Sequence, residues 1–286
     1  MLIKAMACEL PVATGLPLSR FSRQDLVREA ARRGIVAQIS GTTIWRWLDA
    51  DAIRPWQHRS WIFPRDEHFA EKAGRVLDLY QGRWQDQALR RDEFVISADE
   101  KTSIQARVRL QPSLPPKPGE PMRVEFEYER GGALAYLAAW DVRRAKLFGQ
   151  CRATTGIEPF GGLVRAVMRR SPYRKAKRVL WIVDNGSSHR GEAACRRLQR
   201  EFPNLVLVHL PVHASWLNQI EIYFSVVQRK VLAPNDFPSL SAVAQRLLDF
   251  QTYYVQIAQP FEWKFTRADL AKLLTKVHLV TTAVAA

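Results

Sequence analysis

Three short apolar segments of this chain end or begin at a carboxylate, and that pattern constrains the fold more than any other feature. Phe94-Val-Ile-Ser-Ala-Asp99 and Val179-Leu-Trp-Ile-Val-Asp184 read as buried strands closing on an aspartate. Trp216-Leu-Asn-Gln-Ile-Glu221 reads as the start of an apolar helix, and 36 residues separate Asp184 from Glu221. In open α/β sheets, sites lie beyond the carboxyl ends of the strands. Two strand-end aspartates and a helical glutamate offer hard oxygen ligands there. Two cations such as Mg²⁺, held ~3.5–4 Å apart, need little else from a protein to drive in-line phosphoryl transfer.

Each carboxylate also has an ordinary reading. Asp184-Asn-Gly is a common turn sequence whose side chain bonds its own backbone. Asp99-Glu100-Lys101 is equally a solvated charged loop, with Glu100 a rival ligand. Glu221 lies at the edge of the stripe Leu217, Ile220, Phe224 and Val227, where boundary polarity is normal. What favours the site is the combination, because a helix packed on the sheet brings its boundary carboxylate to the two strand ends.

The charge points the same way. Lys and Arg number 43 against 28 Asp and Glu, a net +15 that calls for a polyanionic partner. Nucleic acid fits better than an acidic membrane, since the charge recurs along the whole chain rather than on one amphipathic helix. No apolar run approaches the length of a membrane span, and no secretory signal stands at the start. Cys8, Cys151 and Cys195 form no CxxC pair, which excludes a zinc finger or disulfide framework and fits a reducing cytosol. The expected location is cytoplasmic, in association with the nucleoid.

At 286 residues the chain is long for one domain, so a helical region over 1–65 and a catalytic domain over 66–280 are expected. In the first, Ser22-Arg-Gln-Asp25 is a capping box ahead of Leu26, Val27, Ala30 and Ala31, and Gly34 ends that helix. Ser40 caps a second helix, with Ile44, Trp47 and Leu48 inward and Thr42, Thr43, Trp45 and Arg46 outside. Two short helices of this kind resemble a helix-turn-helix, although a plain helical hairpin reads similarly. Trp56, Trp61 and Phe63 suggest a linker docking on the core, followed by a helix over 66–80. Further strands are expected over 94–99, 123–128, 134–140, 178–183 and 205–210, the second and third forming a hairpin. Helices are expected over 158–170, 191–201 and 216–232. The proline-rich 112–119 is a surface loop. This order gives an α/β, three-layer protein with a mixed sheet behind a small all-α region.

The segments Ile96-Ser-Ala-Asp99-Glu-Lys, Trp181-Ile-Val-Asp184-Asn-Gly-Ser-Ser-His189 and His213-Ala-Ser-Trp-Leu-Asn218-Gln-Ile-Glu221 resemble the three catalytic blocks of DDE transposases from the bacterial insertion-sequence branch of the mariner superfamily. The resemblance spans about residues 20–275, and departs from many members at Gln219, where they carry proline. It implies a ribonuclease-H-like catalytic domain behind a helix-turn-helix, with Asp99, Asp184 and Glu221 holding two Mg²⁺ or Mn²⁺ ions. The implied activity is cleavage of double-stranded DNA at the terminal inverted repeats of an element and strand transfer into target DNA, by a homodimer in the synaptic complex. Asn185 and His189 are placed to touch the scissile phosphate, or His189 to bond a loop carbonyl; Asn218 to orient Glu221, or to satisfy the helix start. Trp216 suits a flipped base or core packing. Members usually carry two helical DNA-binding units, whereas one complete unit fits here, so a truncated or alternatively started copy is expected. The rival reading is a domesticated or decayed, non-catalytic DNA-binding protein. No histidine has the arginine three residues on that a tyrosine recombinase requires.

Overall fold

The computed structural model describes residues 1–58 and 63–285, with side chains as far as 277. The chain divides into two compact units, Met1–Phe63 and Pro64–Ala286.

The first unit is helical: α1 (Leu2–Ala7), a 3₁₀ turn (Pro11–Thr14), α2 (Arg23–Arg32) and α3 (Gly41–Ala50). Ser22 and Asp25 form the capping box in both directions, and the Ser40 hydroxyl accepts from the N–H of Thr43. Ile3, Met6, Phe21, Leu26, Ala30, Ile44 and Leu48 close the core. Trp47, expected inside, is 47% exposed. Ile44 and Leu48, four apart, fill a narrow interface against Ala30, and the indole one residue earlier is left on the flank. Trp56 packs against these helices, Phe63 is exposed, and Trp61 lies outside the described residues.

In the second unit α4 (Phe69–Tyr80) and the small ribbon of β1 (Arg83–Trp84) and β2 (Gln87–Ala88) precede the main strands. These are β3 (Glu93–Val108), β4 (Glu129–Asp141), β5 (Lys146–Arg152), β6 (Arg178–Val183) and β7 (Leu205–His209). They order as β5-β4-β3-β6-β7, antiparallel from β5 to β3 and parallel from β3 to β7. Between and after them come α5 (Ile157–Met168), α6 (Gly191–Glu201), α7 (Ile220–Lys230), α8 (Leu240–Ile257) and α9 (Arg267–Ala285). Alternation along β3 sorts the layers: Phe94, Ile96 and Ala98 bury with α5 and α6, while Val95 buries with α4, α7 and α8. The mixed, three-layer α/β arrangement is the expected one.

Two strand expectations fail, and one strand was not expected. Residues 123–128 are no strand, so the expected hairpin is replaced by two others, β3–β4 and β4–β5. The Arg109 guanidinium donates to the carbonyls of Glu125, Phe126 and Glu127, and the Glu125 carboxylate accepts from the N–H groups of Leu110 and Gln111. That curls the segment on itself and leaves Phe126 94% exposed. Strand β5 escaped notice because Gly149 interrupts its apolar pattern; a Cβ there would lie 2.5 Å from the Tyr136 hydroxyl, so glycine lets β5 lie over that ring. Finally, β3 runs nine residues past Asp99, to Val108.

Candidate active site

The register of the parallel pair β3–β6 builds the site. Its last pair joins Ser97 to Ile182, so two residues further along each strand stand Asp99 and Asp184. Alternation places Asp99 on the face of Val95, and Asp184 on that of Leu180 and Ile182, where Ile220 and Tyr223 of α7 pack. Glu221, in the first turn of α7, comes to the same place. The three carboxylates act on one another: the Asp99 carboxyl, 9% exposed, is pushed up to about 7 by burial, with the charges of Asp184 and Glu221 adding to the effect. Glu221 is also raised, by burial first, against the pull of Lys101.

Asp99 was expected at a strand end, and this is corrected. What ends there is its partner: β6 stops at Val183, whereas β3 continues, slipping register against β4 after Lys101 with Ser103 at φ +56°. Asp184 does follow its strand directly. Its Oδ1 accepts from the N–H of Gly186 at 2.9 Å, which is the turn contact, and lies 2.5 Å from Nε2 of His189. That histidine holds the Asp184 carboxyl below its ordinary value.

His189 is fully buried, with Nδ1 2.9 Å from the Ser188 hydroxyl and its ring against Phe160. Its partner is thus the carboxylate rather than a loop carbonyl. The Asn185 amide donates to the carbonyl of Leu210 at 2.8 Å, tying the loop to the end of β7. Asn218 is buried and serves Asp99, neither Glu221 nor the helix-start backbone as expected: its amide donates at 3.1 Å both to Oδ2 of Asp99 and to the carbonyl of Ala98. Trp216 packs edge-on against Phe265, the core role rather than the base-stacking one. Helix α7 starts at Ile220, after a 3₁₀ turn over Ser215–Leu217, not at Trp216. Sequence reading missed Ser97, whose hydroxyl donates to Asn218 Oδ1 at 2.5 Å. The signal was a polar residue two before Asp99 in an otherwise apolar run. It also missed Lys101 beside Glu221 and Ser188 beside Glu100.

The donor chemistry suits a hard divalent cation. Three carboxylates share a half-buried place where burial, and then their like charges, raise two of the three, and such a cation relieves both effects. As they stand, no three His, Cys, Asp or Glu side chains among the described residues are drawn together closely enough to hold one ion. In the first unit, Thr42, Trp45 and Arg46 of α3 are exposed, while Thr43 is partly buried and its hydroxyl lies 2.9 Å from that of Ser40. Thr43 is therefore committed to the helix cap.

Among solved structures, a pre-cleavage Mos1 transpososome superposes with a TM-score of 0.56 at 16% identity, over 96% of this chain and 78% of that one. The Mos1 mariner paired end complex with Mn gives 0.53 at 18%, over 84% and 75%. The Mos1 strand transfer complex gives 0.53 at 13%, over 96% and 76%. At such identities the likeness is one of fold, which is the ribonuclease-H-like fold expected. No curated protein matches the sequence. The family model described as DDE superfamily endonuclease matches residues 95–244, more than half of the chain and all three carboxylates. The chain belongs to the DDE superfamily endonuclease family.

Proposed function

We propose that this protein is a DDE transposase of the bacterial insertion-sequence branch of the mariner superfamily, cutting DNA at the ends of its element and joining them to target DNA. The observation that carries the reading is the convergence of Asp99, Asp184 and Glu221, from β3, the end of β6 and α7, inside the segment matched by the endonuclease family. These three residues would hold Mg²⁺ or Mn²⁺. A bound pair of such ions activates the attacking water or 3′-OH and stabilises the departing oxygen.

The protein's own groups prepare that centre. The N–H of Glu100 and the amide of Asn218 fix the two oxygens of Asp99. His189 and the N–H of Gly186 both hold Oδ1 of Asp184, which turns the other oxygen toward a ligand. Glu221, on a helix and half-exposed, is the adjustable member. No covalent protein–DNA bond is needed.

Element ends would be read by α2 and α3, with Thr42, Trp45 and Arg46 toward the major groove of double-stranded DNA. In the basic stretch 165–178, Arg165 and Arg169 pair with Glu158 and Glu201, and Arg178 with Glu93. Phosphate tracking then falls to the exposed Arg170, Arg174, Lys175 and Lys177. A homodimer would hold the paired ends.

The test is cleavage of an element-end duplex. Cleavage should require Mg²⁺ or Mn²⁺, and Asp184→Asn should abolish it while leaving end binding intact. Equal cleavage in EDTA would remove the whole reaction class. Specific end binding by wild-type protein that never cuts would favour the non-catalytic alternative.

A further inference from the structure

Three backbone groups at the start of α7 fall outside its helical ladder: the carbonyl of Leu217 and the N–H groups of Gln219 and Ile220. The residue before the helix, Gln219, caps none of them with its own side chain. Two hydroxyls from other elements do so instead. Tyr80, at the end of α4, donates to the carbonyl of Leu217 at 2.6 Å and accepts from the N–H of Gln219 at 3.2 Å. Ser97 of β3 accepts from the N–H of Ile220 at 2.8 Å and donates to Asn218 at 2.5 Å, and the Asn218 amide in turn holds Asp99.

One continuous run of hydrogen bonds therefore links Asp99, through Asn218 and Ser97, to the residue immediately before Glu221. Tyr80 pins the same turn through its own hydroxyl, its ring held against Trp263. Each hydroxyl serves two partners, so deleting one oxygen releases two groups at once. The carboxylates this run spans repel one another, and a repelling pair stays close only where the backbone beneath it is fixed.

We propose that Ser97 and Tyr80 are positioning residues of the carboxylate centre, locking the start of α7 onto β3 and α4 so that the backbone carrying Glu221 is fixed relative to Asp99 and a divalent cation can draw their side chains together. The proposal rests on the metal-dependent reading above and adds to it two residues that touch neither metal nor DNA. Ordinary capping would stabilise α7 with no bearing on the cation; positioning ties the hydroxyls to cation affinity beyond any loss of stability.

The experiment measures Mn²⁺ binding by the electron paramagnetic resonance signal of free Mn²⁺, and the Mn²⁺ concentration giving half-maximal end cleavage, on the full chain. Tyr80→Phe and Ser97→Ala should weaken Mn²⁺ binding about 10–100-fold, the range for groups that orient metal ligands. Their end-DNA affinity should stay as in the wild type. Val243→Ala, a buried α8 position in the same apolar cluster, serves as a control for lost stability and should keep wild-type Mn²⁺ affinity. If both hydroxyl variants bind Mn²⁺ as the wild type does, or weaken no more than Val243→Ala at equal loss of denaturation midpoint, the proposal is overturned. Should Ser97→Ala fail to fold, Tyr80→Phe, which lacks a single oxygen, decides alone. Wild-type protein that neither binds Mn²⁺ nor cleaves overturns the metal-dependent reading itself, and the positioning role with it.

Discussion

Replacing Asp99 by asparagine should make the metal-free protein more stable at alkaline pH while destroying its chemistry. The Asp99 carboxyl rises from 3.8 to about 7 in the fold, by burial first and by Asp184 and Glu221 after it. The sign follows from linkage: the folded state binds this proton more tightly than the unfolded chain, so stability is greatest below pH ~4 and is lost as pH climbs through about 7. At pH 8 the ionised, buried group then costs up to ~4 kcal/mol. An amide carries no such penalty. It has one of its own, because both oxygens of Asp99 accept hydrogen bonds, from the N–H of Glu100 at 2.8 Å and from Asn218 at 3.1 Å. An NH₂ in either place meets a donor, a loss of ~1–2 kcal/mol.

The net expectation in EDTA is Asp99→Asn more stable than wild type by ~2 kcal/mol at pH 8 and about equal to it at pH 5. Urea denaturation across that range, with unchanged slopes, measures the gap. Adding Mg²⁺ should then stabilise the wild type and leave the variant nearly unmoved. A gap of the same size at pH 5 and pH 8 would refute the argument, since it would show that Asp99 does not titrate between them.

Two further expectations concern the first unit. Glu29, buried in α2, is held down to about 2 from 4.5 by Arg32 and then Arg33, so its contribution is present above pH 4.5 and fades as pH falls toward 2. Glu29→Gln should lower hydrogen-exchange protection of α2 at pH 7, by an amount on the order of 1 kcal/mol because Arg32 is largely exposed, and change little near pH 2.5; a loss independent of pH would contradict the ion-pair account. Arg46→Ala should narrow the gap between end-specific and random DNA affinity by the ~1–3 kcal/mol of a base contact. Equal weakening on both DNAs would remove α3 as the reading helix.

The helix caps at Ser22 and Ser40, the strand closing on Asp184, and the boundary position of Glu221 were all legible in the chain, because each depends on neighbours within a few residues. So was the three-layer class, which follows from the order of apolar runs. Tertiary structure alone decided the rest. Whether residues 123–128 pair as a strand depended on Arg109, 16 to 18 residues earlier, capturing the carbonyls of Glu125, Phe126 and Glu127, a choice of partner that the alternating pattern does not encode. That Asn218 serves Asp99 rather than Glu221 depended on α7 starting at Ile220 and on Ser97 meeting it from 123 residues away. Local chemistry states which groups need a partner; only the packed sheet and its helices determine which partner arrives.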